Sequence, residues 1–227
     1  MNKAGIQHRD WLIYAGVFGL IALPSYFFSA VFVVPNPVLE RILFFVWGPT
    51  FALAVYCMGH WMRRDYDSIA LRLAILMNIG AGMIVTIMAT VQSLNGVVSV
   101  EKIKGTTDEQ LIWLYKAAFT GTNHTQLGID IAFDVWISLG TALFALAMVR
   151  HFAFRPWLGI AGIVVALGTL ISNLIYFPWP PADRGGVDGG PFVGVWWGLL
   201  LSVIAFQYWR DNRTKGGTGK RQSSDGG

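Results

Sequence analysis

Apolar residues in this chain come in long runs, without the short apolar/polar alternation of a half-buried strand. Six stretches are nearly unbroken: Trp11–Val34, Val38–Met58, Ile69–Ser93, Leu127–Val149, Trp157–Phe177 and Phe192–Trp209. A helix needs about 20 such residues to cross hydrocarbon, where every backbone polar group has to be satisfied within the segment. The pattern therefore predicts an all-α fold, a six-helix transmembrane bundle covering residues 1–210. The first run is too long and too evenly apolar for a cleaved leader, so it is expected to be retained, with the mature chain starting near Met1. Residues 211–227 are Gly-, Ser- and Lys-rich with no apolar period, which predicts a disordered basic tail.

Between the runs the polar segments differ sharply in length. Pro35-Asn36-Pro37 makes a tight break between the first two helices, whereas the segment from about Leu94 to Gln126 is long. Within it, Thr107-Asp108-Glu109-Gln110 reads as a capping box, and Leu111, Leu114, Tyr115 and Ala118 recur at helical spacing. An additional short amphipathic interfacial helix is expected between helices three and four, with Trp113 at the headgroups. It is read as a packing cap on the bundle, ahead of a moving lid. The last connection, Pro178 to Pro191, is rich in Gly and Pro but has no phosphate-loop spacing.

Threading follows from the basic residues. On one side lie Lys3, Arg9, Arg63, Arg64, Arg72, Arg150, Arg155, Arg210, Arg213, Lys215, Lys220 and Arg221; on the other, only Arg41, Lys102, Lys104, Lys116 and Arg184. Twelve against five places both termini in the cytoplasm and the long polar segment outside. The expected location is a plasma membrane, or the inner membrane of a bacterium. The formal charge of +4 then reflects attraction to an anionic inner leaflet, and no nucleic-acid motif accompanies it.

Ionisable residues at membrane depth are costly, by about 3 kcal/mol on insertion scales, so they are the best functional pointer available. Helix four carries Gly128-Ile129-Asp130-Ile131-Ala132-Phe133-Asp134-Val135-Trp136-Ile137-Ser138-Leu139-Gly140-Thr141. At about 100° per residue, Asp130, Asp134, Ser138 and Thr141 fall within an arc of about 80°. That stripe is expected to face the bundle interior or a water-filled cavity. The two carboxylates could exchange a proton during transport, hold a hard cation with His124 nearby, or accept hydrogen bonds from Lys116, Asn173 or Tyr176. The bland alternative is a helix start within the interface, with Asp130 a favourable charge at its N-terminus. Asn78, Gly82 and Thr86 on helix three, and Gly162, Ala166, Thr169 and Asn173 on helix five, form faces better suited to close packing, with Asn173 the best placed to line a site. Gln92 and Asn95 lie at the same outer level.

Composition supports the class and removes several chemistries. Hydrophobic residues make up 54% of the chain and charged ones only 13%, about half of what soluble domains carry. The single Cys57 excludes an internal disulfide and a Cys-based metal site, and its apolar surroundings predict a buried thiol. Of the four histidines, His8, His60 and His151 stand at helix ends, which argues against a bis-histidine haem; His60 and His151 read as surface or headgroup residues. The spacing of His124 to Asp130 and Asp134 is no established metal signature. No Gly-x-Ser-x-Gly elbow occurs, and the last span holds no lysine for a Schiff base. No metal and no cofactor is expected, and whether the chain is an enzyme stays open.

Three functions remain. The first is binding or transport of a small molecule or ion through a polar cavity open to the outer side, using Asp130, Asp134, Asn173, Ser138, His124, Lys116 and Tyr176. The second is a non-catalytic accessory or scaffold subunit of a membrane complex. The third is a membrane-embedded enzyme acting on a lipid or prenyl substrate. The expected partners are the lipid bilayer, a small polar solute or ion, and possible homo- or hetero-oligomers, with no nucleic acid.

Overall fold

The computed structural model describes residues 8–28 and 36–218. These form six helices, α1 (His8–Tyr26), α2 (Pro37–Arg63), α3 (Ile69–Lys104), α4 (Glu109–Val149), α5 (Pro156–Tyr176) and α6 (Gly190–Thr218), with a 3₁₀ turn over Pro181–Arg184. No strand occurs among the described residues. Four helices are long and apolar enough to cross a membrane: the α2 stretch Val38–Arg63, and α3, α4 and α5 throughout. The apolar stretches of α1 and α6, Asp10–Tyr26 and Gly190–Phe206, are shorter. The remainder of the expected first span, to Val34, lies outside the described residues.

Local chemistry explains where several helices begin. Asn36 Oδ1 accepts from the backbone N–H of Val38 and Leu39 at 2.9 and 3.2 Å, and Pro37 occupies the first helical position, where no N–H is needed. Ser68 Oγ accepts from Leu71 N–H at 3.2 Å to start α3. The start of α4 departs from the expected capping box. Asp108, not Thr107, is the cap, its Oδ1 accepting from Gln110 and Leu111 N–H at 2.9 and 3.3 Å. A carboxylate takes two of the orphan donors at once and is favoured by the helix dipole there.

The expected interfacial helix is helical but not separate. Residues 109–126 run without a break into the fourth span, because no Pro interrupts them and Gly121 and Gly128 are tolerated within a long helix. At about 1.5 Å per residue, the 36 residues of α3 extend about 54 Å and the 41 of α4 about 61 Å, twice a hydrocarbon core of about 30 Å. The two helices thus form one antiparallel hairpin whose distal half projects past the bundle. Asn95 Nδ2 ties it across by donating to the Phe119 carbonyl at 3.1 Å. Likewise α6 continues as helix to Thr218, into the stretch expected to be disordered; residues 219–227 lie outside the described residues.

Packing divides the bundle into a filled half and a hollow half. Near the α2–α3 connection, Met58, Met62, Leu71, Phe144, Met148, Leu200 and Ile204 are fully buried. Small residues allow the backbones to approach: a Cβ on Gly82 would meet the Gly48 carbonyl oxygen at 2.7 Å and the Ala52 Cβ at 3.0 Å. Gly162 receives the Trp196 ring, whose Nε1 donates to the Leu158 carbonyl at 2.9 Å, so this face of α5 is a packing seam as expected. Cys57 is buried, also as expected. His151, read as a surface residue, is instead 2% exposed, among Trp61, Phe152 and Phe154, with Nδ1 accepting from Ala153 N–H at 3.2 Å. The turn after α4 folds it inward over the filled half.

Candidate functional site

At the opposite end, where α1 and α5 finish and α2 and α6 begin, a cavity of about 370 Å³ opens between the helices. Asp130 and Asp134 stand on its wall, presented one turn apart by α4. Glu40 reaches it from the first turn of α2 and Gln92 from α3, while Pro180, Pro181 and Ala182 form part of the rim. Asp188 completes the lining from the Gly-rich connection, where its Oδ1 also accepts from Gly190 N–H at 2.9 Å and caps α6. Four carboxylates therefore face one space.

No Lys, Arg or His among the described residues lines that space. The basic side chain of the rim connection, Arg184, lies over the Trp179 ring with its guanidinium carbon 4.7 Å from the ring centre. Asp130 and Asp134 stand one turn apart on α4 and share this space with Glu40 and Asp188. Such an arrangement at membrane depth calls for a proton, a cation or water between the groups.

Below the carboxylates the walls turn aromatic and then apolar. Tyr26, Trp47 and Phe133 form a neck, with ring centres 4.8 Å apart for Tyr26 and Trp47 and 5.6 Å for Trp47 and Phe133. The same three residues line a second, smaller space of about 50 Å³ that continues inward past Phe51, Ile137 and Val193. Its floor is Trp197, which donates from Nε1 to Thr141 Oγ1 at 2.9 Å and packs edge-on to Phe51 at 5.2 Å. The cavity is thus open at one end of the bundle and closed by a hydrogen-bonded tryptophan toward the other.

The sequence-predicted residues separate into three groups. Asp130 and Asp134 line the cavity. Ser138 and Asn173 are buried behind it: Ser138 lies one turn below Asp134 with Oγ unpartnered, and Asn173 is 3% exposed, donates to the Thr169 carbonyl at 3.1 Å and reaches Asp134, with Oδ1 unpartnered. The other three are elsewhere. Lys116 and His124 are exposed on α4, and because that helix is unbroken through this region, Lys116 is about 21 Å of helix rise from Asp130. His124 is turned about 120° from Asp130 around the helix. Tyr176 packs against Gly186 beneath the last connection and does not border the cavity.

Glu40, Asp188, Tyr26, Trp47 and Phe133 were not singled out by the sequence. Glu40 and Asp188 look like helix-start acids, and the aromatics look like core, until the fold brings them to one place. No three His, Cys, Asp or Glu side chains converge as metal ligands among the described residues. Compared with protein-family models, with curated proteins and with solved structures, the chain matches none.

Proposed function

We propose that the protein binds or transports a small molecule or ion through this cavity, with Asp130 and Asp134 as its charged centre. One observation carries the reading: among the described residues, four carboxylates and no basic side chain line a space of about 370 Å³ beside four helices long and apolar enough to cross a membrane. Burying like charges together is unfavourable unless something cationic or protonated enters with them. The closed floor at Trp197 describes a state loaded from one side, and transport would require that tryptophan to leave Thr141.

The charge asymmetry along the chain supports an outward-facing cavity in a plasma or inner membrane, with both termini cytoplasmic. A reporter fused after Arg210 is expected to be cytoplasmic and one inserted at Gly105 external; an external C-terminal reporter reverses the orientation.

A second reading, the scaffold subunit, is favoured by the apolar side chains exposed along the projecting hairpin, among them Val98, Leu111, Trp113 and Leu114. Thiol labelling separates the two. In a Cys57→Ser background, an impermeant thiol reagent added outside is expected to modify Asp134→Cys, because labelling needs water and some thiolate. A folded, inserted Asp134→Cys protein that stays unlabelled, while Gly105→Cys reacts, would contradict the open cavity and favour the scaffold.

A further inference from the structure

The cavity also specifies the kind of occupant, an inference that rests on the solute-binding reading above. Its outer part supplies negative charge from four carboxylates, and its neck supplies the rings of Tyr26, Trp47 and Phe133. A bare metal ion would use the carboxylates and gain little from the rings; among the described residues no ligand set for one is assembled. A neutral solute would use the rings and leave the carboxylates uncompensated. Only an organic cation uses both, since aromatic faces attract ammonium groups and carboxylates pair with them.

The apolar continuation of the cavity sharpens the choice. The smaller space beyond the neck, walled by Phe51, Ile137 and Val193, then accommodates an apolar substituent. We propose that the cavity takes a protonated amine bearing a compact apolar or aromatic group, its ammonium among the carboxylates and its apolar end through the aromatic neck.

The test is calorimetric titration of the full chain in lipid nanodiscs, with empty nanodiscs as the baseline, using three probes of one shape: 2-phenylethylammonium, 2-phenylethanol and phenylacetate. The ammonium is expected to bind at least about tenfold more tightly than the neutral and anionic probes, a gap of the size one good charge contact gives. Asp134→Asn is expected to weaken it by about tenfold or more. Should that variant fail to fold, Glu40→Gln and Asp188→Asn serve in its place, because Glu40 is exposed and asparagine keeps the cap at Gly190. Equal binding of the neutral probe, insensitive to these substitutions, would overturn the amine assignment while leaving a solute cavity. Displacement of the ammonium by equimolar Ca²⁺ would overturn it in favour of a hard cation. Absence of binding by every probe overturns it as well; external labelling of Asp134→Cys then shows whether the open cavity survives or falls with it.

Discussion

Asp67 and Asp134 are the same residue type, yet their surroundings are opposite. Asp67, in the connection between α2 and α3, accepts from Arg63 Nε at 3.2 Å and from Arg72 Nε at 3.0 Å. The hydrogen bond from Arg72, with a further one from Arg63, holds its carboxyl at about 2, below the ordinary 3.8. A depressed pKa stabilises the fold above the unfolded value and loses that contribution as the pH falls through the folded one. The native protein is therefore expected to lose thermal stability relative to Asp67→Asn as the pH is lowered from 3.8 toward about 2, and parallel melting curves in detergent across that window would remove the role. Asp134, by contrast, shares its cavity with three other carboxylates and, among the described residues, with no basic side chain. The stripe of Asp130, Asp134 and Ser138 was legible from helical spacing alone, because it depends on one helix. Glu40 and Asp188 were not, since each comes from a different element and only the fold makes them neighbours.

Helix α4 shows what periodicity can and cannot resolve. Its apolar spacing over 111–118 announced a helix correctly, yet the change from amphipathic to fully apolar near Leu127 looked like a boundary, and it marks only where neighbouring helices begin to cover it. Reading Lys116 and His124 as companions of the aspartates depended on that break, and an unbroken helix carries them away. The small-residue faces fared better, because close approach leaves a compositional trace. At the α2–α3 crossing, Gly82→Ala would drive a methyl group against the Gly48 carbonyl, 2.7 Å away, where backbone cannot yield cheaply. The expected cost is about 1–3 kcal/mol, read as a lowered melting midpoint. Gly96→Ala, whose added carbon meets nothing within 4 Å, is the control and is expected to be neutral or slightly stabilising. Equal melting of the two variants would contradict the crossing.

At the scale of the molecule, one half of the bundle is packed with methionine, leucine and aromatic side chains, and the other is hollow and acidic. A chain selected only to fill a membrane would close that end with the same side chains, and instead it keeps costly carboxylates around open space. Trp197, fixed by Thr141 between the halves, makes the division sharp. The membrane class was written in the apolar runs, but hollowness is a property of how six helices meet and leaves no local mark in the chain. The most direct measurement is a structure determined in lipid nanodiscs at a resolution that shows ordered water. It is expected to show water or bound solute in contact with Asp130 and Asp134, between α1, α2, α4 and the connection before α6. Aspartates packed dry against neighbouring side chains, with the space between Trp47 and Asp188 filled by protein, would contradict the account.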